Sequence, residues 1–143
     1  MLGRVNVMEV KEAVKKRGRI KSHKRYRGVK VLNEIAPKII IEHCEALGIE
    51  PKILSSCLAV NPKTIQRWKD GTAEPNESAQ RSLDKLEAIY QLTARLLKKD
   101  AWRLWFYSPN HTLGGESPVD LLSRGEFDQV KNVLGMLEWG IYS

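Results

Sequence analysis

The sequence predicts an all-α protein, and three observations indicate that fold class. Apolar residues recur at steps of three and four along most of the chain, which is the spacing of one helix face. Proline or a small polar residue stands where several such segments begin, and glycine stands where several end. No segment alternates apolar and polar residues for long enough to indicate a strand. The 143 residues can form one domain or two small ones that share a core.

Positive charge is concentrated at the N-terminus. Residues 1–30 contain 11 of the 24 Lys and Arg residues but only 2 of the 17 acidic residues. Such a density resists packing and is typical of an arm that contacts a polyanion. We therefore expect residues 1–30 to be a mostly disordered arm on nucleic acid. The residues assigned to this contact are Lys15, Lys16, Arg17 and Arg19. A tail that only raises solubility is the alternative.

Three short helices are expected in a unit spanning residues 31–78. Amphipathic spacing predicts the first over about Leu32–Leu47, and Gly48 follows it in the usual place of a C-terminal glycine. The second helix begins at Pro51. Asn61 and Pro62 occupy the N-cap and first-turn positions of the third, which Gly71 ends.

The second and third of these helices have the pattern of a DNA-binding helix-turn-helix. Bulky apolar residues stand where the inner faces and the turn need them: Leu54, Leu58, Val60, Ile65 and Trp68. Arg, Lys and amide side chains, which bond to base edges in the major groove, are left facing outward. We assign DNA contacts to Asn61, Lys63, Thr64, Gln66, Arg67 and Lys69. An ordinary helical hairpin with a polar outer face is the alternative.

A longer helix, over about 79–99, is expected to join this unit to a C-terminal module of residues 101–143. Within the module we expect a short aromatic helix near Ala101–Tyr107, then helices over Pro118–Arg124 and Glu126–Leu137. The module holds more aromatic side chains than a unit of its size easily buries, which is typical of an interface. These are Trp102, Trp105, Phe106, Tyr107, Trp139 and Tyr142.

Residues 51–71 resemble the helix-turn-helix of Xre or phage-repressor-like proteins. The resemblance rests on the run Arg67-Trp68-Lys69-Asp70-Gly71 at the end of the third helix. One position departs from that family, because Ala59 stands where the tight turn usually carries glycine. A left-handed backbone costs a residue other than glycine about 1–2 kcal/mol, so we expect the turn to be slightly altered.

Residues 101–140 resemble the toxin-binding domain of the Xre/MbcA/ParS antitoxins. The features that carry the resemblance are Pro109-Asn110, Leu113-Gly114-Gly115, Pro118, Leu121-Leu122, Gly125 and Gly140. It implies a homodimeric antitoxin that blocks a toxin, usually of the NAD-consuming RES class, and represses its own operon. The residues assigned to toxin binding or dimerisation are Trp105, Asn110, Leu113, Pro118, Leu122, Trp139, Ile141 and Tyr142. The basic arm is not part of that family's pattern.

Two other functions fit the same sequence. The first is a stand-alone helix-turn-helix regulator without a toxin, whose C-terminal module only dimerises. The second is a protein-interaction module whose helix-turn-helix is a scaffold and whose arm binds RNA. An adjacent toxin gene distinguishes the antitoxin from the stand-alone regulator.

Catalysis, cofactors and metals are not expected. The three histidines do not form a ligand spacing with the cysteines, and no nucleophile elbow or phosphate-binding loop is present. Cys44 and Cys57 lie among apolar residues at helical spacing, so we expect buried free thiols. No apolar run is long enough to cross a bilayer, and no secretory signal follows the N-terminal charges. The expected compartment is therefore the cytoplasm.

Overall fold

The computed structural model describes residues 35–140, and every regular element within that range is helical. The all-α prediction is therefore confirmed for the described residues. The predicted arm, with Lys15, Lys16, Arg17 and Arg19, lies outside them, as do Ile141 and Tyr142. The α-helices are α1 Pro37–Ala46, α2 Pro51–Leu58, α3 Pro62–Asp70, α4 Glu77–Leu96, α5 Trp102–Tyr107, α6 Pro118–Ser123 and α7 Phe127–Trp139. Short 3-10 segments cover Lys99–Ala101 and His111–Leu113.

Helix ends differ from the predicted ones mainly at α1 and α4. The first helix begins at Pro37 rather than near Leu32, because proline lacks an N–H and fits the first turn of a helix. The long helix begins two residues earlier than predicted, behind Asn76, whose side chain accepts the Ala79 N–H at 2.8 Å. It ends at Leu96, since Leu97 turns into an extended conformation.

The long helix α4 lies at the centre of the fold. It packs against α1 on one side and α7 on the other, and α2 packs against α6. Its inward residues Leu83, Leu86 and Ile89 are at most 1% exposed. The buried apolar side chains form one cluster that extends from Ile35 to Leu134. The N-terminal and C-terminal helices therefore share a single hydrophobic core. Among the described helices, none is long and apolar enough to span a bilayer.

Candidate functional site

The helix pair α2–α3 is joined by a tight turn at Ala59. This residue has φ 57° and ψ 41°, the left-handed conformation, and no other residue of the described range except glycines has a positive φ. The turn closes with the Val60 N–H donating to the Ser55 carbonyl at 3.1 Å. The turn thus keeps the geometry that glycine would have, and the strain stays in Ala59 instead of being relieved by a changed turn.

Helix α3 has one buried face and one outward face. Ile65 and Trp68 are 7% and 5% exposed and pack into the core, as the sequence pattern predicts. Lys63, Gln66 and Arg67 lie exposed on the other side. The outward face is therefore polar and basic, while the inward face holds the helix on the rest of the fold.

Four of the six side chains assigned to DNA contacts on this helix have partners within the chain. Asn61 caps the helix: its Oδ1 accepts the Thr64 N–H at 2.9 Å and the Thr64 hydroxyl at 3.2 Å. Gln66 donates to Asp70 at 2.9 Å, and Lys69 forms an ion pair with Glu45 of α1 at 3.0 Å. The other two, Lys63 and Arg67, have side chains that contact no hydrogen-bond or ion-pair partner in residues 35–140.

The aromatic helix α5 is attached to the turn that precedes α2. The Arg103 guanidinium donates to the Gly48 carbonyl at 2.6 Å and to the Glu50 carboxylate at 3.1 Å. It also stacks over the Tyr107 ring at 4.5 Å, and the Tyr107 hydroxyl accepts the Glu50 N–H at 3.0 Å. Gly48 has φ +91°, and a Cβ there would lie 2.9 Å from Arg103 side-chain atoms. Only glycine fits this contact.

The turn-rich stretch after α5 is organised around Asn110, which is 7% exposed. Its Oδ1 accepts the Thr112 N–H at 3.0 Å, and its backbone carbonyl accepts the Gly115 N–H at 2.9 Å. Its own N–H donates to the Glu116 carbonyl at 2.9 Å. Gly114 and Gly115 supply the positive φ angles of 72° and 90° that this turn requires. Asn110 thus stabilises the conformation of this loop through hydrogen bonds of its side chain and backbone.

An exposed ion-pair network holds the end of this loop. Arg124 donates two hydrogen bonds to the Glu116 carboxylate, at 2.8 and 2.9 Å, and a third to Glu126 at 3.0 Å. The hydrogen bonds from Arg124 lower the pKa of Glu116. Between the two partners, Ser117 and Asp120 form a capping box that starts α6. Loop 108–117 is therefore fixed at both ends.

The residues assigned to toxin binding or dimerisation that lie in the described range fall into three groups: buried, half-buried and exposed. Asn110, Leu113, Pro118 and Leu122 are buried in this chain and support the loop and α6. Trp105 is half-buried, and Trp139 is 78% exposed at the end of α7. Leu104, 71% exposed on α5, has no counterpart in the sequence-based assignment. Helical spacing does not single it out, because α5 is apolar on nearly every side.

Sequence reasoning also missed a polar cluster between α1 and α4. The His43 Nδ1 lies 2.8 Å from the Glu87 carboxylate, and the His43 ring stacks on Tyr90 with centroids 3.9 Å apart. Cys44, the neighbour of His43, is a buried free thiol, as is Cys57. Burial raises the pKa of Cys57 to about 12 and raises that of Cys44 further, so neither thiol is reactive. Within residues 35–140 no group of three or more His, Cys, Asp or Glu could hold a metal.

A C-terminal stretch of the chain matches a known domain. Residues 91–140 match the family model described as the antitoxin Xre/MbcA/ParS C-terminal toxin-binding domain. The resemblance seen in the sequence is thereby confirmed. The family is one of antitoxins, so the prediction that the chain is not an enzyme is confirmed as well.

Curated relatives that align with about two thirds of the chain are named as antitoxins. The mycobacterial cidal antitoxin MbcA of Mycobacterium tuberculosis is 26% identical over 98 residues, which cover 68% of this chain and 87% of that protein. A probable mycobacterial cidal antitoxin of the same organism is 21% identical over 103 residues, 72% of this chain and 88% of its own. The crystal structure of the M. tuberculosis MbcT–MbcA toxin–antitoxin complex includes a chain with a TM-score of 0.63 and 24% identity. That match covers 80% of this chain and all of the other, which shows a shared fold.

Proposed function

We propose that this protein is an antitoxin that neutralises a cognate toxin by direct binding through residues 91–140. The observation that carries the proposal is the match of these residues to an antitoxin toxin-binding domain. Supporting it, the relatives that align with about two thirds of the chain are antitoxins. From the family resemblance, the proposed toxin is of the NAD-consuming RES class.

The proposal includes repression of its own operon by the helix pair α2–α3. Lys63 and Arg67 support it, because they are exposed on one face and have no partner in the described chain. Free Arg and Lys side chains can bond to guanine or to phosphates, whereas Lys69 would first have to leave Glu45. We therefore expect Lys63 and Arg67 to make the main DNA contacts. Asn61, Thr64 and Gln66 would support these contacts.

The proposed organisation has four parts. Residues 1–30 form a basic arm on DNA, residues 31–78 the helix-turn-helix unit, residues 79–100 the linking helix, and residues 101–143 the toxin-binding and dimerising unit. Residues 35–140 of the last three parts share one core, so a homodimer formed through the C-terminal unit would also fix the spacing between two α3 helices.

Deletion of Trp139–Ser143 tests the toxin-binding part of the proposal. Trp139 is the most exposed large apolar side chain in the described range, and loss of a central aromatic anchor weakens an interface by about 2 kcal/mol or more. The truncated protein should stay folded and bind DNA but fail to rescue cells that express the toxin. Rescue equal to that of the full chain would exclude a role for the tail. Loss of folding together with DNA binding would assign the tail to the core or the dimer.

Deletion of residues 1–30 tests the arm. We expect weaker binding to all DNA sequences alike, together with a shallower dependence of log K on log salt, since each lost phosphate contact removes about 0.9 from that slope. An unchanged slope would contradict a role for the arm in DNA binding. The stand-alone regulator becomes the better assignment if the full chain binds its operator but does not bind the product of the adjacent gene.

A further inference from the structure

Helix α5, residues Trp102–Tyr107, is fixed on the fold by nearly all of its side chains. Trp102 is buried and donates its indole N–H to the Leu97 carbonyl at 3.0 Å, and Phe106 is fully buried. Trp105 is half-buried with its ring edge against Phe106, at a centroid distance of 4.9 Å. Arg103 and Tyr107 bind the turn before α2, as described above. This six-residue helix is too short to be stable alone, so these contacts hold it in place.

Leu104 is the one side chain of α5 that these contacts leave free. It is 71% exposed, and Leu104 and Trp139 are the two large apolar side chains of the described range that lie exposed. Both lie within the stretch matched as toxin-binding, residues 91–140. The Leu104 carbonyl accepts the Ser108 hydroxyl at 2.6 Å, which ties α5 to the start of the loop fixed by Asn110 and Arg124.

We propose that Leu104 is an apolar anchor that inserts into the partner toxin, presented by a helix that is already held in its binding position. A single exposed leucine is common on protein surfaces and by itself indicates nothing. Here the leucine sits on a preorganised helix beside a fixed loop, inside a domain whose described role is toxin binding. An anchor that is rigid before binding loses little conformational entropy in the complex, which is the condition under which one apolar side chain contributes strongly.

The occupant we assign to this surface is the toxin rather than a second copy of this chain. The assignment rests on the proposed antitoxin function and on the position of Leu104 within residues 91–140. Trp139, at the end of α7, is the second exposed large apolar side chain of this stretch and is assigned to the same partner. The toxin surface facing Leu104 should accordingly be an apolar pocket bordered by polar groups.

The test compares Leu104→Ala, Leu104→Met and Lys52→Ala in the full chain. Met keeps the apolar volume, and Lys52 is an exposed residue of α2 outside the matched domain. The probe is the purified product of the adjacent gene, with affinity measured by titration calorimetry and oligomeric state by sedimentation. We expect Leu104→Ala to weaken toxin binding at least tenfold, with Leu104→Met and Lys52→Ala within threefold of wild type. All three variants should keep the melting temperature and sedimentation of the wild-type protein without toxin.

The outcomes separate this inference from the function on which it rests. If the wild-type chain does not bind the probe, the proposed antitoxin function fails. If the wild-type chain binds and Leu104→Ala binds equally well, only the anchor is overturned. A change in the oligomeric state of Leu104→Ala without toxin would assign Leu104 to a contact between copies of this chain and would also overturn the proposal. A lower melting temperature would overturn it by making Leu104 a structural residue.

Discussion

Helices α3 and α5 are both short and both place a tryptophan in the shared core, yet their outward faces differ. On α3, Lys63 and Arg67 have no side-chain partner among residues 35–140, so within that range the exposed face carries unpaired positive charge. On α5, the cation Arg103 attaches the helix to Gly48 and Glu50, and the exposed side chain without such a contact is Leu104. The chemistry that a surface presents to a partner thus depends on which of its side chains already make contacts within the chain. A free cation suits a polyanion, and a free leucine suits another protein.

The largest effect expected from this comparison concerns two tryptophans with opposite burial. Trp68 of α3 is 5% exposed, whereas Trp139 of α7 is 78% exposed. Trp68→Ala removes a core side chain and should lower the free energy of unfolding by about 3–5 kcal/mol. Trp139→Ala should change it by less than about 0.5 kcal/mol, because exposed substitutions rarely cost more. Denaturant unfolding of both variants, followed by circular dichroism, measures the difference.

Equal destabilisation by the two substitutions would mean that Trp139 is packed in solution, in which case the tail belongs to the core or the dimer. A folded Trp139→Ala variant makes the toxin-binding comparison meaningful, since any loss of binding is then a loss at the interface.

The N-terminal helix pair was largely predictable from sequence because its signals are local. Caps, the spacing of Ile65 and Trp68, and the outward residue types all lie within one helix and predict its two faces correctly. Long-range pairing was not predictable: Lys69 was assigned to DNA, but its partner Glu45 lies 24 positions away on another helix. The sequence contains no signal for such a pair, because many exposed Lys and Glu residues could form one.

For the C-terminal domain, the sequence was limited in a different way. Its motif residues were recognisable by resemblance, but a motif does not say whether a side chain faces inward or outward. Asn110 and Leu122 were assigned to contacts with a partner, and the structure places both inside the chain. Buried polar residues such as Asn110 shape a loop by hydrogen bonding, which a sequence pattern cannot separate from direct recognition. Leu104 shares its residue type with core leucines, so only its position in the fold distinguishes it.

The second prediction compares two cations of α3: Arg67, which has no side-chain partner in residues 35–140, and Lys69, which forms an ion pair with Glu45. Arg67→Ala should weaken binding to the native operator by about 1–3 kcal/mol and relax the preference at one base pair, because Arg67 has no competing partner in the described chain. Lys69→Ala should have a smaller effect, since Lys69 is paired with Glu45. Fluorescence anisotropy on operator and scrambled DNA measures both. If Arg67→Ala binds the operator as well as wild type, α3 is not the recognition helix.

A third prediction compares two residues with a left-handed backbone, Ala59 between α2 and α3 and Gly114 in the loop after α5. Ala59→Gly removes the strain of a left-handed alanine, about 1–2 kcal/mol, but adds about 0.4–1 kcal/mol of chain entropy to the unfolded state. The net result should be a stabilisation of roughly 0.5–1 kcal/mol. Gly114→Ala, at φ +72° with no atom within 4 Å of a new Cβ, is the matched control and should destabilise. The melting temperatures of the two variants should therefore shift in opposite directions. A lower melting temperature for Ala59→Gly would contradict the claim that the Ala59 backbone is strained.

The smallest effect concerns the exposed pair between Glu116 and Arg124 that closes loop 108–117. The pKa of Glu116 is lowered in the folded chain by hydrogen bonds from Arg124. The pair therefore contributes stability above the ordinary carboxyl pKa, about 4.3, and loses that contribution as the pH falls through the lowered pKa. Glu116→Gln should be slightly less stable than wild type near neutral pH, and this deficit should shrink under acid and in high salt.

Unfolding curves of both proteins from about pH 7 to about pH 3 measure this deficit in stability. Lys69→Ala, which breaks the ion pair with Glu45 in the N-terminal half, provides the comparison. A deficit in Glu116→Gln that stays constant with pH would show that it does not come from the charge of Glu116.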